Sequence, residues 1–215
     1  MIIRSYVLAC IISMTLALSL YAQSQLTIDA TGLHKTPNHT SSGSATGVGR
    51  RLPLQITIAI QSTVPREHGR TIVEFILTNS GKDSLDIPVA LEPEQVESSN
   101  SSSTYNFRCL RLYITKEGEI PANERTLPGG AVLYGSDKSG TLVSLAPGDI
   151  IRVLAEVALP RHEASGDNGP TLIAWAAIDE VTITKTNGKA SSDSQEVGYA
   201  TSPSYTLEAL FKSLK

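Results

Sequence analysis

The side chains that could perform catalysis or hold a metal ion are few and widely separated in this sequence. It contains four histidines: His34, His39, His68 and His162. The first two fall in a polar leader and the last two in predicted loops, so their spacing does not predict a zinc site. No HExxH, EF-hand, Walker A, GxSxG or Ser-x-x-Lys pattern occurs. The sequence therefore predicts no catalytic residue, no cofactor and no metal ion.

Four aspartates lie at or near predicted turns, where a short carboxylate can bond to the local backbone: Asp137, Asp149, Asp167 and Asp179. They lack the alternating carboxylate pattern of a calcium-binding loop. We expect turn-stabilising roles for them, and a calcium site between loops is the alternative.

Two single residues raise a choice between a structural and a functional role. Cys109 is the only cysteine outside the N-terminal apolar run, and we expect a small buried hydrophobe in a strand. The alternative is a catalytic or intermolecular thiol. Trp175 is the only tryptophan, and we expect it to anchor the core or the space between two sheets. The alternative is a platform for a ligand.

The N-terminus predicts export. Residues 1–22 combine Arg4, a long apolar run and Ala22 before a polar stretch, which is the order of a secretory signal. The alternative is an uncleaved membrane anchor. We expect a secreted or periplasmic protein with a flexible Ser/Thr/Gly/Pro-rich linker at 23–51, in which Leu26 and Ile28 could form a short strand, and a β-sandwich domain at 52–215.

Composition sets the size of the core and narrows the range of partners. Of the 215 residues 40% are hydrophobic, which is enough to bury one sizeable core. Removing Arg4 with the signal changes the formal net charge from −3 to −4, which argues against nucleic acid or an anionic membrane as the main partner.

Short alternating segments dominate the predicted domain. Apolar residues alternate with other residues in the strands predicted at 54–60, 71–77, 85–89, 108–115, 131–134, 150–159, 172–178 and 181–186. Asn187-Gly188 is a strong hairpin signal. Leu207, Leu210, Phe211 and Leu214 have helical spacing and predict a short C-terminal helix packed on its own domain, with docking on a partner as the alternative. These segments predict an all-β antiparallel sandwich.

Two stretches carry a resemblance. Residues 73–81, VEFILTNSG, and residues 144–151, SLAPGDII, resemble a strand with its turn and an LxPG turn with its strand in exported bacterial immunoglobulin-like and fibronectin-type-III-like modules. The resemblance covers these two short stretches, of nine and eight residues, and implies a β-sandwich of that kind. It carries no site residue, and the paired cysteines of antibody domains are missing.

Signal, linker and sandwich together predict an exported non-catalytic module that binds a protein or a surface polymer through its loops. The predicted contact loops are 92–106, 135–140 and 162–168. An inhibitor of an exported protease is the second hypothesis. A hydrolase whose residues meet only in the folded chain is the third.

Overall fold

The computed structural model describes residues 25–32, 49–61, 70–92, 103–119, 130–159, 171–186 and 189–212, and these residues confirm the all-β sandwich. One short helix, α1 (Leu207–Lys212), follows the last strand. The strands in the described ranges are β1 (Gln25–Asp29), β2 (Arg50–Arg51), β3 (Leu54–Ile60), β4 (Arg70–Asn79), β5 (Leu85–Pro88), β6 (Ser103–Lys116), β7 (Ala131–Gly135), β8 (Leu142–Leu145), β9 (Ile150–Ala158), β10 (Thr171–Thr186), β11 (Lys189–Thr201) and β12 (Tyr205–Thr206).

Two main sheets form the sandwich. The first sheet has the order β1-β9-β4-β3, and the second has the order β2-β11-β10-β6-β7 with β12 on the end of β10. A separate pair, β5-β8, is joined to β7 through a bridge between Ala90 and Tyr134. The strands pair antiparallel except at two sheet edges, where β1 runs parallel to β9 and β2 runs parallel to β11. The sheets are therefore mixed, whereas the sequence predicted purely antiparallel pairing.

The core lies between the inner faces of the two main sheets. Alternate residues of β3 and β4 are buried, as the period of two in a strand requires. Phe75 and Ile151 of the first sheet are fully buried, and so is Leu110 of the second. Because a one-residue slip would turn these side chains outward, the core pattern also fixes the register of each ladder.

Asn79 joins the two stretches that carry the immunoglobulin-like resemblance. Its buried side chain donates hydrogen bonds of 2.8 Å to the carbonyls of Asp83 and Leu145, and it accepts one of 2.9 Å from the Gly81 amide. Gly148, with φ +86°, closes the neighbouring turn and donates to the Asn79 carbonyl. One side chain thus holds both turns predicted from the sequence, and its amide nitrogen and its oxygen both have hydrogen-bond partners, as buried polar atoms usually do.

The folded domain begins earlier than predicted. Strand β1 lies inside the segment that we predicted to be linker, where Leu26 and Ile28 had suggested a short strand. Ile28 and Ala30 belong to the main core. Strand β2 also precedes the predicted boundary at residue 52. Burial of Ile28 offsets the entropy lost on ordering β1. Composition does not reveal this contact with the core, so the polar segment around β1 was predicted to be linker.

The strand predicted at 108–115 is part of β6, an interior strand that lies between β10 and β7. The predicted strands at 172–178 and 181–186 are one continuous strand, β10. The pairing of Thr186 with Lys189 confirms the hairpin predicted at residues 187–188.

The predicted C-terminal helix is confirmed as α1. The Thr206 hydroxyl accepts a hydrogen bond from the Ala209 amide at 3.2 Å and so caps its first turn. Leu210 is buried in the main core, which confirms that the helix packs on its own domain. Leu214 lies outside the described residues. Within the described part of the chain, no helix has the length and apolar character needed to cross a membrane.

Candidate functional site

The candidate site lies on the outer face of the second sheet, which we define as the face turned away from the main core. In β6 and β10 the even-numbered residues near the sheet centre, such as Leu112 and Ala176, enter the core. Their odd-numbered neighbours, such as Tyr113 and Trp175, therefore lie on the outer face. This face carries the largest aromatic side chains of the second sheet and a buried cluster of charges.

Three aromatic side chains form a row across the outer face, which we call the aromatic row: Tyr113, Trp175 and Tyr199. The rings of Tyr113 and Trp175 are almost parallel, with centroids 6.1 Å apart and 8° between their planes. The ring of Tyr199 lies 5.9 Å from Trp175 on the other side, tilted by 32°. Each ring comes from a different strand, so the sheet itself holds their spacing.

The prediction that Trp175 anchors the core or the inter-sheet space is wrong. Its neighbours Ala174 and Ala176 occupy the core, so the pleat turns the indole outward, where it is partly buried. The indole N–H donates a hydrogen bond of 3.0 Å to the Thr115 hydroxyl, which fixes the orientation of the ring. The alternative that the sequence left open, a platform for a ligand, stays a prediction.

Solvent exposure increases along the aromatic row from the sheet centre to its edge. Tyr113 is 1% exposed, and Trp175 and Tyr199 are partly buried. Arg51, which pairs with Tyr199 in the register of β2 and β11, is exposed. Its guanidinium donates a long hydrogen bond of 3.5 Å to the hydroxyl of Thr201, the residue opposite Trp175. The accessible end of the row therefore combines two aromatic rings with an arginine.

Two glycines allow β2 to approach β11. A Cβ added to Gly198 would lie 2.7 Å from the carbonyl oxygen of Arg50, and one added to Gly49 would lie 2.8 Å from the Gly198 amide nitrogen. The Leu52 amide donates a hydrogen bond of 2.7 Å to the Tyr199 carbonyl, which also holds the chain after β2 against β11. Because only glycine permits this close contact, residues 49 and 198 determine where Arg51 lies.

A buried charge cluster lies next to the aromatic row. It consists of Arg111, Asp179 and Glu196, each at most 6% exposed as a whole residue. Arg111 contacts Asp179 in a bidentate manner, with an Nε–Oδ2 ion pair and a hydrogen bond of 2.9 Å from Nη2 to Oδ1. Its Nη2 lies 3.6 Å from Oε2 of Glu196, whose Oε1 accepts a hydrogen bond of 2.9 Å from the Gly49 amide. The cluster thus joins three strands and the start of β2.

The cluster depends on a β-bulge. Ile178 pairs with Gly198, but the next residue, Asp179, pairs with Glu196, so the ladder skips Val197. Val197 is 41% exposed at this point. The extra residue brings Glu196 onto the outer face beside Asp179 and Arg111, which fits the use of bulges to redirect a side chain. Asp179 therefore has a place in mid-strand within an ion pair, and the prediction that it lies at a turn is wrong.

Burial gives the charge cluster a structural role. Removing charged groups from water is costly, and the bidentate pair and the Gly49 hydrogen bond offset that cost. The cluster links the middle of β10 and of β11 to Gly49, the residue before β2, beside the aromatic row. Its role is to position these strands.

Cys109 lies in a small second apolar cluster on the outer face. It is 6% exposed and packs with Tyr134 and Val181, while Phe107 and Ile183 cover the cluster in part. The Phe107 ring lies 6.1 Å from the Tyr134 ring. The prediction of a buried cysteine in a strand is therefore confirmed.

Of the three predicted contact loops, the structure describes the second and part of the first. Residues 103–106 of the first loop belong to β6, while residues 93–102 of that loop and the third predicted loop, 162–168, lie outside the described residues. In the second loop, the hydroxyls of Ser136, Ser139 and Thr141 bond to one another, at 2.8 Å for Ser136–Ser139 and 2.6 Å for Ser139–Thr141. These bonds within the turn order the second loop.

The predicted histidines and Asp167 lie outside the described residues. Asp149 accepts a hydrogen bond of 3.1 Å from the Ala146 amide, which confirms its turn role, and Asp137 lies exposed in the turn after β7. In the described ranges, no group of three His, Cys, Asp or Glu side chains is arranged to hold a metal ion.

Sequence reasoning missed the charge cluster and the strand that completes it. A signal was present, because Arg111 and Asp179 are charged residues inside apolar strand patterns, and such residues need a buried partner. Glu196 gave no such signal. It lies in a polar segment, 189–201, that did not resemble a strand.

The chain matches no model of a known protein family, and no curated protein is significantly similar to it.

Proposed function

We propose that this protein is an exported, non-catalytic module that binds a protein or polymer of the cell surface, and that it binds through the outer face of its second sheet. The observation that carries the proposal is the position of Trp175. A tryptophan turned away from the core, fixed by Thr115 and flanked by two tyrosines, is more typical of a recognition surface than of a folding anchor.

The composition of this surface supports binding. Tryptophan, tyrosine and arginine contribute most of the energy in protein recognition sites, because they offer large contact areas with few rotatable bonds or a directional charge. The accessible end of the aromatic row presents all three types on three adjacent strands: Trp175, Tyr199 and Arg51. The charge cluster and the Thr115 hydrogen bond hold the row rigid, which lowers the entropy lost on binding.

The proposal changes the predicted contact surface from the loops to the sheet. The loop at 135–140 is ordered by its own hydroxyl bonds, whereas the outer face retains partly exposed aromatic rings. Side chains on a sheet face are also positioned more precisely than side chains on a loop, because the hydrogen-bond ladder fixes the spacing of the strands. Such a face can present a flat binding surface.

Co-sedimentation with the envelope fraction of the source organism tests the proposal. The purified exported form should sediment with the envelope, and Trp175→Ala should reduce the bound fraction at least tenfold. Phe107→Ala is the matched control, because Phe107 is a partly buried aromatic residue on the same face but outside the row. Equal binding of Trp175→Ala and the parent, with both variants folded, would overturn the proposal.

A further inference from the structure

We infer that the accessible end of the aromatic row binds an acidic polysaccharide, with Arg51 recognising the carboxylate of a uronic acid unit and the rings of Trp175 and Tyr199 packing against sugar rings. The inference rests on the proposed function and names the class of its ligand.

The first argument is the free cation at the edge of the row. Arg51 is exposed on strand β2, and none of the ion pairs between described residues involves it. Arg51 donates a long hydrogen bond of 3.5 Å to the neutral Thr201 hydroxyl. By contrast, Arg108 and Arg152 on strand surfaces pair with Glu180 and Glu74. Arg51 thus keeps its planar donor fork available for a carboxylate.

The second argument is charge complementarity within an acidic protein. The whole chain carries a formal net charge of −3, and Arg50 and Arg51 place two adjacent cations on one edge strand. Both are exposed. An anionic polymer is therefore attracted to this edge, while the net negative charge of the whole chain repels it weakly.

The third argument is the shape of the aromatic surface. The two accessible rings lie 5.9 Å apart and are tilted by only 32°, so they form a shallow apolar surface two rings wide. A pyranose has flat faces of C–H groups and polar groups at its rim, and such faces pack on aromatic rings while the rim bonds to nearby polar groups. The Thr201 hydroxyl beside the rings is one such group.

The polymer form of the ligand follows from the openness of the site. The accessible end of the row lies beside the edge strand β2, so a polymer chain can extend past the row at this edge of the sheet. A repeating polymer also compensates for a shallow site, because neighbouring units rebind before the complex separates.

Isothermal titration calorimetry tests the inference with polygalacturonate and its fully methyl-esterified form. Esterification removes the charge and keeps the sugar rings, so we expect the parent protein to bind the acid at least tenfold more tightly. Arg51→Met should lose that tenfold preference, and the two polymers should then bind alike. Arg108→Met, on the same sheet but paired with Glu180, is the matched control and should keep the preference.

Three outcomes would overturn the inference in different ways. Equal binding of both polymers, abolished by Trp175→Ala, would remove acid recognition while leaving the proposed function intact. Equally tight binding of polyglutamate would show that charge alone is recognised and that the ligand class is wrong. Absence of binding to every polymer, together with failure to sediment with the envelope, would reject both the inference and the proposed function.

Discussion

Glu196 lies opposite Asp179 in the ladder between β10 and β11 because the ladder skips Val197. Without that bulge, Val197 would occupy the position opposite Asp179, and the Glu196 side chain would turn to the other face of the sheet. The bulge therefore completes the charge cluster with Arg111 and allows Glu196 to accept the Gly49 amide. The position of β2, and with it Arg51, follows from this irregularity.

Removing the cation of the charge cluster should destabilise the protein strongly. Arg111→Met leaves two buried carboxyl groups without their guanidinium, so we expect the free energy of unfolding to fall by about 3–5 kcal/mol. Arg108→Met on the same strand removes a surface pair with Glu180 and should cost at most about 1 kcal/mol. Urea denaturation measures both. Losses of similar size for the two variants would contradict a stabilising role of the buried cluster.

Truncating the core residue of β1 should destabilise the domain. Ile28 belongs to the main core, so Ile28→Ala should lower the free energy of unfolding by about 2–5 kcal/mol. Thr27→Ala, one residue earlier and exposed, should change it by less than about 0.5 kcal/mol. Thermal or urea unfolding of the chain without residues 1–22 distinguishes the two variants. An unchanged stability for Ile28→Ala would show that the domain folds without β1, as the sequence alone suggested.

Enlarging Gly198 should detach β2 from β11. A side chain there meets the Arg50 carbonyl and the Leu52 side chain, so Gly198→Val should expose the Leu52 amide to solvent. Hydrogen exchange at Leu52 should accelerate at least tenfold, whereas Val197→Ala, next to it but exposed, should leave that rate unchanged. Continued protection of Leu52 in the Gly198 variant would show that the glycine is not required for the contact.

Cys109 should be unreactive in the folded protein. Its 6% exposure and apolar neighbours keep the thiol from reagents. In the chain without residues 1–22 we expect negligible labelling by a thiol reagent under native conditions and one label per chain in urea. Rapid native labelling, at the rate of a free thiol, would instead support the reactive role that the sequence left open.

The strands that could be predicted from the sequence are those whose burial alternates. In β3, Leu54 and Ile56 are buried on one face and their neighbours are not, so the period of two was visible in residue types. The turn at Gly148 was visible because proline fixes φ and glycine permits the positive φ that the turn needs.

The strands that the sequence did not reveal are set by their partners. Strand β11 is polar and contains Gly198, yet it forms because β10 offers it a complete edge of backbone donors and acceptors. Burial on both faces of β6 likewise depends on residues distant in sequence. The outward position of Trp175 could have been inferred from its place between two small residues, but its aromatic neighbours come from other strands and could not.

The most direct test of binding through the outer face is the fluorescence of Trp175, which is the only tryptophan in the chain. The chain without residues 1–22 should be titrated with soluble polysaccharide from the envelope of the source organism. We expect the emission to shift to the blue and quenching by acrylamide to fall as the ligand covers the indole. If the protein binds while emission and quenching remain unchanged, the ligand lies elsewhere and the aromatic row is not the binding site.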